Sequence, residues 1–425
     1  MTHYVILGNS AAGLTAIDAI RQRDRDGAIT VVSQEPEPAY SRVALPYILS
    51  REKDLRQITL QGPDYYKANN VELIAGVGAA GLDAGNKTVR LEDGRSLSYD
   101  KLLVATGSLS RVPPVQGIEE ADVCYHWTLA DTRKIEEQLR KAKSCFVIGA
   151  GFISLLTVSA LIKAANLQYT VVEIADQVMP QLLDREGGQA LERGMRDKGI
   201  EVVLGDQVSA IERGRNSLPA SGGAAYGVTL KSGRRHDADM IVCGTGVRPN
   251  VDFLKDAGLE AARGVLTNER QETNLPGVYA AGDCAEGFDF LTGERAVHAI
   301  WPTAIDQGRV AGANMAGDSQ TYPGSLSWNV TELFGLSSAS VGEFRSRDGW
   351  EAIVFHNPHT NVYRKLLLDG NRIVGAVVIG RAEHIQDLGV VQAMIRRRTD
   401  VSRWKHMLQG ERINYGMLAY ESAKR

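Results

Sequence analysis

Cysteine is scarce in this sequence: four in 425 residues, at Cys124, Cys145, Cys243 and Cys284, all widely separated. No Cys-x-x-Cys pair exists, so a redox dithiol loop, a thiolate-bound iron-sulfur cluster and a zinc knuckle all lack their usual spacing. His-rich and HExxH patterns are missing too, and no metal ligand is nominated. An excess of one charge is also absent: 48 Lys plus Arg stand against 51 Asp plus Glu, a formal charge of -3. A surface that tracks phosphates needs a concentrated positive field, so nucleic acid is not expected as the main partner. No apolar run approaches the roughly 18 residues of a membrane span. Met1-Thr2-His3 enters a strand pattern at once, without a positively charged leader, and a cytoplasmic protein is expected.

What is present begins with length. The chain is about three times the roughly 150 residues typical of one domain, so two or three domains are expected. Tyr4 to Leu7 form a short apolar strand run, Gly8-Asn9-Ser10-Ala11-Ala12-Gly13 follows, and an alanine-rich helical pattern comes next. In a dinucleotide fingerprint the first glycine makes the turn, the second admits pyrophosphate and the third lets helix and strand pack closely. Phosphate then rests on free N–H groups at the helix start. Ser10 takes the second glycine position, and its hydroxyl is a further donor. A second strand, Ile29 to Ser33, leads to Glu35, 22 residues after Gly13, where a carboxylate would accept ribose hydroxyls.

The arrangement recurs. Cys145 to Ile148 is an apolar strand, Gly149-Ala150-Gly151-Phe152-Ile153-Ser154 is the turn, and Tyr169 to Val172 ends at Glu173, 19 residues after Ser154. Ser154 stands where the third glycine is expected, so helix and strand are expected to sit slightly farther apart. Glu173 would accept both ribose hydroxyls of NAD and repel the 2'-phosphate of NADP. Two dinucleotide sites on one chain imply that a hydride arrives from one cofactor and rests on another, for which flavin is the usual choice.

Taken with Leu103-Val104-Ala105-Thr106-Gly107-Ser108, Gly246-Val247-Arg248-Pro249-Asn250 and Val278-Tyr279-Ala280-Ala281-Gly282-Asp283, these motifs resemble the FAD-dependent pyridine nucleotide-disulfide oxidoreductase superfamily over essentially the whole chain. The resemblance implies an α/β chain of two Rossmann-like nucleotide-binding domains, glutathione-reductase-like, with a C-terminal α+β interface domain. It implies a discontinuous FAD domain at 1-115 and 245-317, an NAD domain at 116-244 and an interface domain at 325-425. FAD would be held by Gly8, Ser10, Ala11, Ala12, Gly13 and Glu35, with Thr106, Gly107 and Gly246 at the domain crossover and Gly282 and Asp283 in the closing motif. NAD(H) would be held by Gly149, Gly151, Phe152, Ile153 and Glu173. Arg42 and Trp301 are expected near the flavin, each with a bland alternative: a surface ion pair for Arg42, simple packing for Trp301.

Two departures subdivide the resemblance. In Tyr40-Ser41-Arg42-Val43-Ala44-Leu45-Pro46-Tyr47, Val43 and Ala44 stand where disulfide- and peroxide-handling members carry Cys-Gly. Valine forms no thiolate, so those reactions lose their central atom. Leu156 stands where related reductases carry a glutamate near the nicotinamide. No catalytic side chain is nominated. The expected activity is electron transfer between NAD(H) and a protein-bound partner, and any iron-sulfur cluster belongs to another chain. The sequence looks especially like NAD-reducing flavoprotein subunits of multisubunit 2-oxoacid oxidoreductases such as phenylglyoxylate:acceptor oxidoreductase. A free-standing ferredoxin, rubredoxin or nitrite-system reductase is the alternative, and a structural FAD-binding subunit without nicotinamide turnover is the second.

From Trp301 a helix rich in small residues is expected, then an antiparallel sheet with a hairpin turn at Asp369-Gly370. In the family this last domain makes a dimer or partner interface. Arg396-Arg397-Arg398, Arg403 and Lys405 form a basic segment able to steer an acidic electron carrier, or simply a solvated surface. The Ser/Pro/Gly loop from Asn216 to Gly223 reads as a surface excursion, and the aromatic run from Tyr415 to Tyr420 as a docking tail or, equally, as a self-packing segment.

Overall fold

The structure, a computed structural model, describes residues 1-214 and 225-411, so the loop from Asn216 and the aromatic tail lie outside the described residues. Contacts divide the chain into two units: residues 1-48, 53-109 and 247-326 form the first, and 49-52, 110-246 and 327-425 the second.

The first unit is built on a five-stranded parallel sheet in the order Val278–Ala280, Lys101–Val104, His3–Leu7, Ala28–Ser33, Val71–Ala75. Strands this apolar are buried on both faces, and successive side chains take opposite sides. Tyr4, Ile6, Ile29, Val31 and Leu103 pack under the helices Ala11–Arg21 and Trp301–Met315, while Val5, Leu7, Val32, Leu102 and Val104 pack toward Leu82, Val89 and Leu91 of a small antiparallel sheet.

The second unit repeats the plan with four parallel strands: Glu201–Leu204, Gln168–Glu173, Ser144–Ile148 and Met240–Cys243. Cys145, Val147, Val171 and Val242 face Leu155, Val158 and Leu161 of helix Phe152–Ala164; Phe146, Ile148, Val172 and Ile241 face Val228 and Leu230 of a second small sheet. Residues 327-411 add a five-stranded antiparallel sheet in the order Trp328–Leu333, Leu336–Gly342, Arg372–Gly380, Val362–Asp369, Trp350–Asn357. The expected hairpin forms with Asp369 opposite Arg372 and Gly370 at φ +58°. The edge strand Trp328–Leu333 was not expected; it exposes Val330 and Glu332, which blurs the alternation that marks a strand.

This last sheet is tied to the helix Arg185–Asp197. Asp184 caps that helix through the Gly187 N–H, and its other oxygen accepts the Tyr363 hydroxyl at 2.5 Å and the Lys365 ammonium at 2.8 Å. Lys365 and Asp184 are each 9% exposed at the side chain. Removing one partner of so shielded a pair typically costs about 3–5 kcal/mol, because the other charge is left stranded.

Candidate dinucleotide sites

At the first turn, Gly8 sits at φ +131°, and a Cβ there would lie 2.0 Å from the Ala105 carbonyl oxygen. A Cβ on Gly13 would lie 2.0 Å from the Gly8 carbonyl oxygen. Helix Ala11–Arg21 therefore starts hard against the turn. Ser10 is its N-cap residue in extended conformation, and its side chain makes no capping bond. The first N–H groups of the helix, on Ala11, Ala12 and Gly13, have no carbonyl partner one turn back and aim out of the helix end. Two other helices are capped from their own sequence, Leu129–Leu139 by a Thr128/Asp131 capping box and Arg185–Asp197 by Asp184, whereas Trp301–Met315 and Leu388–Arg396 also start without a capping side chain.

Glu35 follows strand Ala28–Ser33 as expected, but its carboxylate is already engaged. The Tyr40 hydroxyl donates to Oε2 at 2.5 Å and Arg42 pairs with Oε1. Arg42 thus forms an ion pair, and a carboxylate with about four lone-pair sites still has room for ribose hydroxyls. Tyr66 donates to Asn9 Oδ1 at 2.7 Å, and the Asn9 Nδ2 is buried beside the turn without a partner among the described residues. Thr106 donates its hydroxyl to the Asn250 carbonyl at 2.7 Å, and Gly107 accepts the Asn250 N–H at 2.9 Å, so both hold the chain at the crossover. Gly246, at φ +99°, accepts the Arg111 N–H.

Asp283 accepts the Ser108 hydroxyl at 2.7 Å. Burial pushes its carboxyl above the usual carboxylate range, against the pull of the Ser108 bond and the Arg42 charge. Trp301 opens helix Trp301–Met315 and packs, partly buried, in the cluster that holds Ala11 and Ala12. Val43 lies in the short turn Arg42–Ala44 and is 59% exposed. All four cysteines are buried and free. Burial pushes the thiols up, that of Cys243 to about 11 and that of Cys124 to about 12, so none supplies the thiolate that Val43 denies.

The second turn has Gly149 at φ +96° and Gly151 as the N-cap of helix Phe152–Ala164, again with no capping side chain. Phe152 packs on the core and Ile153 accepts the Thr157 hydroxyl at 2.8 Å. Glu173 is buried, taking the Ala150 N–H at 2.7 Å on one oxygen and the Ala175 N–H at 3.1 Å on the other. The expected loosening at Ser154 has a specific remedy. Ser154 donates to the Gly244 carbonyl at 2.9 Å, and a Cβ on Gly244 would lie 2.2 Å from Ser154 Oγ. The glycine missing from the helix is supplied by the neighbouring strand end. Leu156 is partly buried and packs on the core of the second unit.

Tyr40, Ser108 and Gly244 were not singled out from the sequence. Ser108 ends the quoted run from Leu103 and Gly244 precedes Gly246 by two residues, so one lay within and the other beside a motif already marked. In the basic segment Arg397, Arg398 and Arg403 are exposed, Trp404 is buried and Lys405 pairs with Glu351.

Open helix starts, a shielded acceptor at Asp283 and a carboxylate after the second strand of each fold are the donor and acceptor set of an adenine dinucleotide, and the residues present fit two such groups. Among the described residues, no cluster of three or more His, Cys, Asp or Glu could hold a metal ion, and no helix is long and apolar enough to cross a membrane.

Comparison with known proteins agrees. The pattern described as pyridine nucleotide-disulphide oxidoreductase matches residues 2-308, and the rubredoxin NAD+ reductase C-terminal domain matches residues 329-396. The NADH-dependent phenylglyoxylate dehydrogenase subunit epsilon of Aromatoleum evansii is 34% identical over 405 residues, 94% of this chain and 93% of that one. An NADH oxidase of Methanocaldococcus jannaschii is 33% identical over 80% of this chain and 75% of its own. Among solved structures, the covalent putidaredoxin reductase-putidaredoxin complex aligns with TM-score 0.88 at 25% identity, covering all of this chain and 99% of that one.

Proposed function

The chain belongs to the pyridine nucleotide-disulphide oxidoreductase family, and from that premise we propose that it passes electrons between NAD(H) and an iron-sulfur protein as the NAD-linked flavoprotein subunit of a larger oxidoreductase complex. It is an FAD-dependent NAD(H):acceptor oxidoreductase. The observation that carries the reading is the pair of glycine-rich turns, each with an open helix start and each served by its own carboxylate. FAD, when bound, supplies the centre that accepts a hydride yet releases electrons singly. The residues of the chain bind and orient. The helix start at Ala11 to Gly13 takes pyrophosphate, Glu35 takes ribose, and Asp283, held by Ser108, takes hydroxyls of the flexible chain. Gly149 to Ile153 and Glu173 do the same for NAD(H), and the carboxylate of Glu173 disfavours the extra phosphate of NADP.

The three-part division into FAD domain (1-115 and 245-317), NAD domain (116-244) and C-terminal domain (325-425) is part of this proposal. So is the finer assignment to a 2-oxoacid oxidoreductase of the phenylglyoxylate dehydrogenase kind, supported by 34% identity over almost the full length of the Aromatoleum subunit. The match of residues 329-396 to a rubredoxin reductase C-terminal domain favours a second reading, a free-standing reductase of a small iron-sulfur carrier. A cytoplasmic location suits four free, buried thiols. Anaerobic titration of the purified protein with NADH tests the core of the proposal: the flavin absorbance is expected to bleach stoichiometrically, and a bound flavin that NADH leaves oxidised would overturn it. Gentle anaerobic purification separates the two partner readings. Co-purifying iron-sulfur chains support the complex, whereas a single chain that rapidly reduces a soluble carrier supports the free-standing reductase.

A further inference from the structure

Gln307 lies in the second turn of helix Trp301–Met315 and is 2% exposed. A carboxamide so deep in the fold needs partners. Its Oε1 accepts the buried N–H of Gly282 at 2.8 Å. Because that donor fixes which end of the amide is oxygen, Nε2 faces the other way, toward the space that Gly287 leaves open. A Cβ on Gly287 would lie 3.6 Å from Gln307 Nε2 and 3.6 Å from the Oγ1 of Thr267, a buried hydroxyl with no partner among the described residues. The next residue, Gly308, lets the helix backbone press on the first glycine-rich turn: a Cβ there would lie 2.3 Å from the Ala12 carbonyl oxygen. Gln307 is therefore set rigidly against the first site, and Gly282, at φ +81°, turns the chain into Asp283.

We infer that Gln307 is a positioning residue of the FAD site: its side-chain carbonyl holds the Gly282 amide and so fixes the turn that presents Asp283 to the dinucleotide. The inference rests on the FAD reading above. It ranks two substitutions in the reverse order from plain packing. If Gln307 only fills space, Q307L is tolerated and Q307E, which buries a carboxyl, is harmful. If its oxygen is the point, Q307L strands the Gly282 N–H in the interior, while Q307E keeps an acceptor there.

Apo-protein of the wild type, Q307L, Q307N and Q307E is prepared by flavin removal. FAD affinity is measured by quenching of flavin fluorescence, and amide exchange of a peptide spanning residues 281-285 by mass spectrometry in the absence of flavin. Q307L is expected to weaken FAD binding about tenfold and to speed exchange of that peptide to a similar degree, with Q307N, one methylene too short, falling alongside it. Q307E is expected to stay within about threefold of the wild type in both. If Q307L and Q307N bind FAD like the wild type and keep the peptide protected, or if Q307E is the weakest of the set, the inference is overturned. If wild-type apo-protein takes up no FAD, it is the FAD reading that fails, and the exchange data still report whether Gln307 holds the turn.

Discussion

The two glycine-rich turns share a frame and differ in how they close. In each, the first glycine donates its N–H to the neighbouring strand, Gly8 to Val32 at 2.9 Å and Gly149 to Val172 at 2.8 Å. The first turn keeps its last glycine and closes on itself, Gly13 against the Gly8 carbonyl. The second has Ser154 there and closes on Gly244 from another strand. Their carboxylates differ as well: Glu35 is held by the side chains of Tyr40 and Arg42, Glu173 by the backbone N–H groups of Ala150 and Ala175. A nucleotide fold thus tolerates loss of a fingerprint glycine where another strand yields the space, and it can anchor its ribose acceptor through either kind of donor.

The sharpest way to break the comparison is Gly13→Ala. With no other strand to yield, the added methyl meets the Gly8 carbonyl, and flavin content per chain is expected to fall by about tenfold or more, with a stability loss of about 1–3 kcal/mol by thermal melting. Gly244→Ala should cost a similar about 1–3 kcal/mol in urea unfolding and raise the KM for NADH while leaving flavin content intact. Here, however, the double variant Gly244→Ala/Ser154→Gly should recover more than half of the loss, a coupling that Gly13 lacks. Failure of that rescue would show the Ser154–Gly244 contact to be incidental.

The carboxylates come next. Glu173→Gln puts an amide nitrogen where one of two backbone donors expects an acceptor, and should raise the KM for NADH about tenfold and narrow its preference over NADPH. Glu35→Gln disturbs only partners that can swing away, and should weaken FAD by about threefold. Steady-state kinetics and flavin titration of the two variants side by side decide whether the anchoring differs as the geometry says.

The smallest effect concerns Asp283. Its carboxyl binds a proton more tightly in the folded apo-protein than in the unfolded chain, so its contribution to stability falls as pH rises from the ordinary carboxylate range through its raised value. Asp283→Asn should therefore melt slightly higher than the wild type at neutral pH without flavin, lose that advantage in acid below the ordinary carboxylate range, and bind FAD more weakly. An apo-protein variant that melts lower at neutral pH would contradict the assigned direction.

Much of this was legible from local spacing. Strand, turn, helix and strand-end acid lie within some thirty residues of one another in each fold, and apolar runs mark strands buried on both faces. What the sequence concealed were partners made by tertiary contact. Ser108 meets Asp283 across 175 positions, and Gly244 meets Ser154 across 90, distances over which spacing carries no signal. Arg42 and Glu35 are only seven residues apart, yet nothing in the order of residues says that the guanidinium turns back toward the strand end. The edge strand Trp328–Leu333 was missed because an apolar Val330 stands on its exposed face while the polar Asn329 and Thr331 stand on the other, which breaks the period of two.

The bond of Tyr363 and Lys365 to Asp184 has a consequence for protein engineering. The carboxyl-terminal sheet is not a detachable cassette. A graft that exchanges residues 327-411 for those of another reductase must bring an acceptor for its own buried hydroxyl and ammonium, or carry residue 184 and its helix along. A chimera joined at residue 326 without that provision is expected to express as an aggregate even though both parents fold.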